Sequence, residues 1–285
     1  MVVNTFYELE REYCELFGGV DCKKAWFIGP LDLFSKGGDH DHVHKGKAER
    51  GGGESAAVVE NRERCMGWLE RKKVGSVIFV CFGSWCCFED EQLREMALGL
   101  EASGMEFLWV VRGDHGEHLK TEWMSEGWEE RVKGKGLVVR GWAPQAAILA
   151  HEAVGVFMTH CGWNSLLEGL GSGKPMLTWP LVFEQFINER LVVEVLKVGV
   201  RVWDGFRSTF EKEKVVVPAE AIERAVRKFM EGSGEGEEMR KRAAEWAEIA
   251  GAAVAEGGSS HKDLNSLIDE LFMVREKTKD ESHRR

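Results

Sequence analysis

Five successive apolar residues, Val154-Gly155-Val156-Phe157-Met158, stop at Thr159-His160-Cys161-Gly162, and a helix candidate starts directly afterwards at Trp163-Asn164-Ser165. An apolar run of this length without alternation suits a parallel strand covered on both faces. The same rhythm recurs. Val77 to Phe82, Phe107 to Val111, Leu137 to Val139, Met176 to Trp179 and Gly199 to Val202 read as strands. Between them, helices are expected over 89–102, 145–150, 163–170, 184–197 and 218–230. Strands alternating with helices predict an α/β fold with a parallel, Rossmann-like sheet and flanking helices, and such sheets bind ligands beyond the carboxyl ends of their strands.

The turn after the 154–158 strand is therefore the place to look for chemistry. Asn164 and Ser165 at a helix start leave backbone N–H groups for an anion, and the helix dipole favours negative charge there. A diphosphate fits. His160 on the same turn can donate a hydrogen bond to a phosphate oxygen, and Glu168 offers a carboxylate to two neighbouring ribose hydroxyls. Trp142 adds a flat face on which a base can stack. Taken singly, these residues read as a cap, a core histidine and a core tryptophan. Together, at these spacings, they point to a nucleotide.

The stretch from Trp142 to Gln185 contains Trp142-Ala143-Pro144-Gln145, His160-Cys161-Gly162-Trp163-Asn164-Ser165, Glu168 and the closing Glu184-Gln185. It resembles the signature box of the plant secondary-product UDP-glycosyltransferases, and the match continues through Phe186-Ile187-Asn188-Glu189. A pattern this long is far more specific than a lone glycine-rich loop. The resemblance implies the C-terminal half of a GT-B-type two-domain glycosyltransferase. By that resemblance Trp142 stacks on uracil, Ala143 meets its edge through the backbone, and Gln145 and Glu168 hold the ribose. His160, Asn164 and Ser165 take the phosphates, Trp163, Glu184 and Gln185 read the sugar hydroxyls, and Gly162 is a further UDP-sugar-binding residue. In the family a closing Gln goes with UDP-glucose, so Gln185 favours glucose. Ser84, in the turn Phe82-Gly83-Ser84, is a secondary diphosphate candidate and reads equally well as a helix cap; the bulk of Trp85-Cys86-Cys87 is unexpected beside a phosphate.

Composition sets outer limits. The formal charge of −10 argues against nucleic acid or an anionic membrane as the main partner. The seven cysteines lack metal-type spacing, which suggests free thiols in a reducing compartment. With no basic-then-apolar leader and no apolar run of about 20 residues, the expectation is a cytoplasmic protein without membrane insertion. No metal or other cofactor is expected; UDP-sugar is a co-substrate. Asp39-His40-Asp41-His42-Val43-His44 carries an Asp-x-Asp and alternating histidines, but no strand leads into it, and it is read as a solvated loop.

In chain order, residues 1–34 resemble the end of an N-terminal acceptor domain, with Val2 to Thr5 as the last part of a strand, a short helix from Phe6 to Leu16, and a strand over Ala25 to Pro30. Residues 35–75 are expected to be a linker and lead-in helix, 76–257 the UDP-sugar domain, 258–273 a C-terminal helix crossing back to the N-terminal domain, and 274–285 a disordered tail. Gly113 to Trp128 reads as a polar surface loop and Gly232 to Gly236 as a linker. Apolar stripes mark Phe186, Ile187, Leu191 and Val195 as core, and Leu264, Leu267, Ile268 and Leu271 as one helix face.

The implied reaction is inverting transfer of a hexose, expected to be glucose, to a hydroxyl of a small lipophilic acceptor, a plant secondary metabolite. In the family the base that takes the acceptor proton lies in the N-terminal domain, after a glycine-rich segment, and no catalytic residue is expected in this chain. The chain is therefore expected to be truncated, to bind a UDP-sugar weakly, and to transfer poorly alone. It could be an active transferase completed by a complementing N-terminal half, or a catalytically incompetent UDP-sugar binding module. A Rossmann dehydrogenase is set aside, because Gly169-Leu170-Gly171-Ser172-Gly173 lacks both the G-x-G-x-x-G spacing and the preceding strand.

Overall fold

A computed structural model describes residues 1–20, 24–34, 56–83, 88–111, 124–230 and 234–283. Ser84, Trp85-Cys86-Cys87, the Asp39–His44 segment, His115 and His118 lie outside the described residues. The chain divides into two compact units, Met1–Gly46 with Trp246–Arg285, and Lys47–Glu245.

The first elements are β1 (Val2–Val3), α1 (Arg11–Val20) and β2 (Trp26–Phe27), with β1 and β2 pairing in parallel. The helix begins at Arg11, whereas the sequence suggested Phe6; Leu9 N–H bonds back to the Phe6 carbonyl over 3.1 Å as a turn instead. In the larger unit follow α2 (Ala56–Leu69), β3 (Val77–Cys81), α3 (Asp90–Ser103), β4 (Glu106–Val111), α4 (Trp128–Arg131) and β5 (Gly136–Arg140). Then come α5 (Gln145–Ala150), β6 (Val154–Thr159), α6 (Trp163–Gly171), β7 (Met176–Thr178), α7 (Gln185–Arg190), which continues as a π-helical turn over Leu191–Val195, β8 (Gly199–Arg201) and α8 (Ala219–Met230). Last are α9 (Gly234–Val254), inside which the unit boundary falls, and α10 (Ser259–His283).

The sheet runs β5-β4-β3-β6-β7-β8, and every neighbouring pair is parallel. Side chains alternate between two cores. Ile78, Val80, Phe107 and Trp109 enter one, with Leu93, Met96 and Leu100 of α3 and Ile222 and Val226 of α8. Val77, Phe79, Leu108 and Val110 enter the other, with Leu69 of α2 and Ile148 and Leu149 of α5. Two covered faces explain why these strands are apolar throughout.

One amphipathic reading is corrected. On α7 and its π-helical extension, Ile187 and Val195 are 72% and 68% exposed, while Gln185, Asn188 and Glu189 are buried. The inward face meets polar partners: the Leu181 and Val182 N–H groups, the Cys161 carbonyl, Thr178 and two arginines. An apolar stripe there would strand all of them. On α10, Leu264 and Leu267 are half-buried while Ile268 and Leu271 are exposed, and polar groups also bond the helix to the N-terminal segment. Ser259 donates to Glu8 (2.8 Å), Ser260 to the Gly29 carbonyl (2.5 Å), and Asp263 accepts from Phe27 N–H (2.7 Å). Glu270 pairs with Lys24. α10 also continues to His283, past Val274, where a disordered tail was expected; the run is rich in Glu and Lys, which favour helix. Likewise α9 begins at Gly234, inside the stretch read as a linker.

Candidate functional site

Because all strands of the sheet are parallel, their carboxyl ends share one edge, where β3 delivers Gly83, β5 delivers Trp142, β6 delivers His160 and β7 delivers Trp179. Phe82 meets Trp179 edge-on, ring centroids 5.6 Å apart, and Phe88 packs on both, giving this edge an aromatic floor.

The turn from β6 to α6 has unusual geometry. Cys161 adopts φ 62, a region that non-glycine residues seldom occupy, and its side chain is fully buried. Its N–H donates to Thr159 Oγ1 over 3.3 Å, and its carbonyl accepts from Asn188 Nδ2 over 2.9 Å. Gly162 then takes the N-cap position with extended backbone, and its carbonyl accepts from Leu166 N–H. The first-turn N–H groups of α6 thus open beside His160.

His160 fills a slot between two glycines. A Cβ on Gly162 would stand 2.4 Å from Nε2, and one on Gly83 would stand 2.7 Å from Cε1. The ring is mostly buried, and burial pushes its pKa down to about 4. It is therefore neutral at physiological pH, with one nitrogen a donor and the other an acceptor. Nδ1 is buried and makes no hydrogen bond among the described residues. The other ring nitrogen, Nε2, is the one that lies against Gly162 at the α6 turn, where a polar ligand would meet it.

A second cluster ties the β5 loop to α6. Gln145 donates from Nε2 to Ser165 Oγ over 3.0 Å and to Glu168 Oε2 over 2.7 Å. From α2, Asn61 Nδ2 donates to the carbonyls of Arg140 and Trp142, at 3.3 and 3.0 Å, and so fixes the loop that carries the indole. Ala143 is buried and Trp142 half-buried. The loop bearing Trp142 and the turn bearing His160 are thereby both anchored on α6, the helix of Glu168.

The closing pair divides. Glu184 and Asn164 are exposed, Trp163 is half-buried, and Gln185 is buried, with its Oε1 accepting from Leu181 and Val182 N–H. Its carbonyl oxygen thus holds the turn after Trp179-Pro180, a structural duty that the sequence did not suggest. Asn61 and Asn188 were also missed: each grips a backbone carbonyl far away in sequence, and no local pattern announces such a partner.

The family model described as "UDP-glucoronosyl and UDP-glucosyl transferase" matches residues 68–204. UDP-glycosyltransferase 73B3 of Arabidopsis thaliana is 50% identical over 271 residues, covering 95% of this chain and 53% of that protein. Among solved structures, Glycyrrhiza uralensis UGT73P12 complexed with glycyrrhetinic acid 3-O-monoglucuronide superposes with TM-score 0.83 at 36% identity, over 99% of this chain and 55% of that one. Medicago truncatula UGT71G1 complexed with UDP-glucose gives TM-score 0.76 at 34% identity, over 95% and 53%. The chain thus spans about half the length of the relatives it matches.

Proposed function

Because this chain belongs to the family of UDP-glucuronosyl and UDP-glucosyl transferases and carries the C-terminal half of its GT-B fold, we propose that the β6–α6 edge binds a UDP-sugar for transfer to a small acceptor hydroxyl. The observation that carries this reading is the neutral His160 ring, held with Nε2 against Gly162 at the N-terminus of α6. A pyrophosphate there gains a donor from the imidazole and several from the backbone.

In this reading Trp142 stacks on the uracil and Ala143 meets its edge. Gln145 orients the Glu168 carboxylate towards the ribose hydroxyls, while Gly162, Asn164 and Ser165 face the phosphates. Trp163, Glu184 and Gln185 line the sugar end, and the binding of UDP-glucose by the Medicago protein supports glucose as the hexose. Ser84, outside the described residues, stays a candidate for the diphosphate on the sequence alone. The acceptor oxygen forms its bond to C1 as the C1–O bond to the diphosphate breaks on the opposite face, so configuration inverts. The acceptor proton passes to a base that no residue of this chain is assigned to supply. Negative charge grows on the departing UDP, and the fixed donors of the α6 turn stabilise it, the part a divalent cation plays in other transferases. A small lipophilic acceptor is in keeping with the glycyrrhetinic acid 3-O-monoglucuronide bound by the Glycyrrhiza protein.

Coverage of about half of each relative favours a second reading, in which the chain holds UDP-sugar and transfers it only with a complementing N-terminal half. Titration calorimetry with UDP followed by turnover of UDP-glucose with a phenolic acceptor separates the two. Binding without turnover selects the second reading, and no heat with UDP removes both.

A further inference from the structure

Asn188 lies outside the Trp142–Gln185 box, on the buried face of α7, and its amide donates to the Cys161 carbonyl over 2.9 Å. That carbonyl belongs to the peptide joining Cys161 to Gly162. In a trans peptide the C=O and N–H point in opposite directions, so pinning the Cys161 oxygen on one side aims the Gly162 N–H out of the other. Cys161 sits at φ 62, and strained residues of this kind persist only where their surroundings over-determine them. The bond from Asn188 is one of those restraints, and the Thr159 hydroxyl that accepts the Cys161 N–H is another.

The position of Asn188 is itself fixed. Its neighbour Glu189 is 1% exposed and accepts from Thr178 Oγ1 (3.0 Å), Arg201 Nε (3.1 Å) and Arg207 Nη1 (2.5 Å). These bonds lock α7 to β7, to β8 and to the segment after β8, which places the Asn188 amide under the turn. Sheet, helix and turn form one rigid chain of contacts ending at the N-cap of α6.

We propose that Asn188 is a positioning residue of the donor site, holding the Cys161–Gly162 peptide so that the Gly162 N–H addresses the diphosphate of the nucleotide. The inference rests on the UDP-sugar reading above. It predicts a specific split: without the amide, affinity for the diphosphate falls while affinity for the nucleoside remains.

The test uses the full chain with UDP and uridine, UDP by calorimetry and uridine by ligand-observed NMR. Asn188→Ala should bind UDP about tenfold more weakly, the worth of one directed hydrogen bond to a charged group, with uridine affinity unchanged. Equal losses for both ligands would mean a merely structural role and overturn the proposal, as would no loss for either. Should Asn188→Ala fail to fold, the wild-type chain still decides: its Gly162 amide resonance should shift with UDP and not with uridine, and an amide unmoved by UDP overturns the proposal. If wild type binds no UDP, the donor-site reading falls and this inference with it. If wild type binds UDP but the split is missing, only this inference falls.

Discussion

Gln145 Nε2 sits 2.7 Å from Glu168 Oε2 and 3.0 Å from Ser165 Oγ, so one amide group fastens the loop after β5 to two positions on α6. The carboxylate that would meet the ribose is thus oriented before any ligand arrives. Glu168→Ala should weaken UDP binding about tenfold to a hundredfold, the range for losing hydrogen bonds to a charged group. Gln145→Ala, which removes only the orienting partner, should do less. Calorimetric titration of both variants checks this, and equal affinities for Glu168→Ala and wild type would rule out the ribose role.

Burial lowers the His160 pKa from 6.5 to about 4, and the sign of its effect on stability follows. Between those values the unfolded chain binds a proton that the folded chain does not, so stability rises with pH. The contribution is fully present above pH 6.5 and is lost as pH falls towards about 4. His160→Gln should remove this dependence. Thermal melts near neutrality and at about pH 5 should show a larger drop for wild type than for the variant. Parallel drops would mean that the ring is not buried in its neutral form.

The sheet and the box were legible because their signals are local. A strand covered on both faces must be apolar at each position, and the box is a contiguous pattern whose spacing can be read off the chain. The interior face of α7 was not legible. Amphipathic reasoning assumes that the apolar stripe turns inward, whereas here the interior presents a carbonyl, two N–H groups, a hydroxyl and two arginines, so Gln185, Asn188 and Glu189 turn inward. Asn61 and Asn188 act through carbonyls whose positions are set by the tertiary fold.

Glu189 joins three elements through one buried carboxylate. Glu189→Ala removes three hydrogen bonds to a buried carboxylate, while Arg201 keeps Glu194 and both arginines reach solvent, so the loss should be about 1–3 kcal/mol. Urea denaturation should show that loss. A change below about 1 kcal/mol, the value of a surface pair, would contradict the burial described here.

Gly83 and Gly104 provide a matched comparison for the slot around His160. Both have positive φ, at 72 and 69, so alanine at either meets similar backbone strain, about 1 kcal/mol. They differ in what a Cβ would touch: at Gly104 nothing lies within 4 Å, and at Gly83 the imidazole lies at 2.7 Å. Gly104→Ala should therefore lower the melting temperature modestly and leave UDP affinity as it was. Gly83→Ala adds a collision that displaces the His160 ring from the mouth of α6, so UDP affinity should fall about tenfold or more, with uridine much less affected. The ratio of the two ligands' affinities in the two variants is the measurement. If Gly83→Ala and Gly104→Ala behave alike, the imidazole is not held against the diphosphate by this wall.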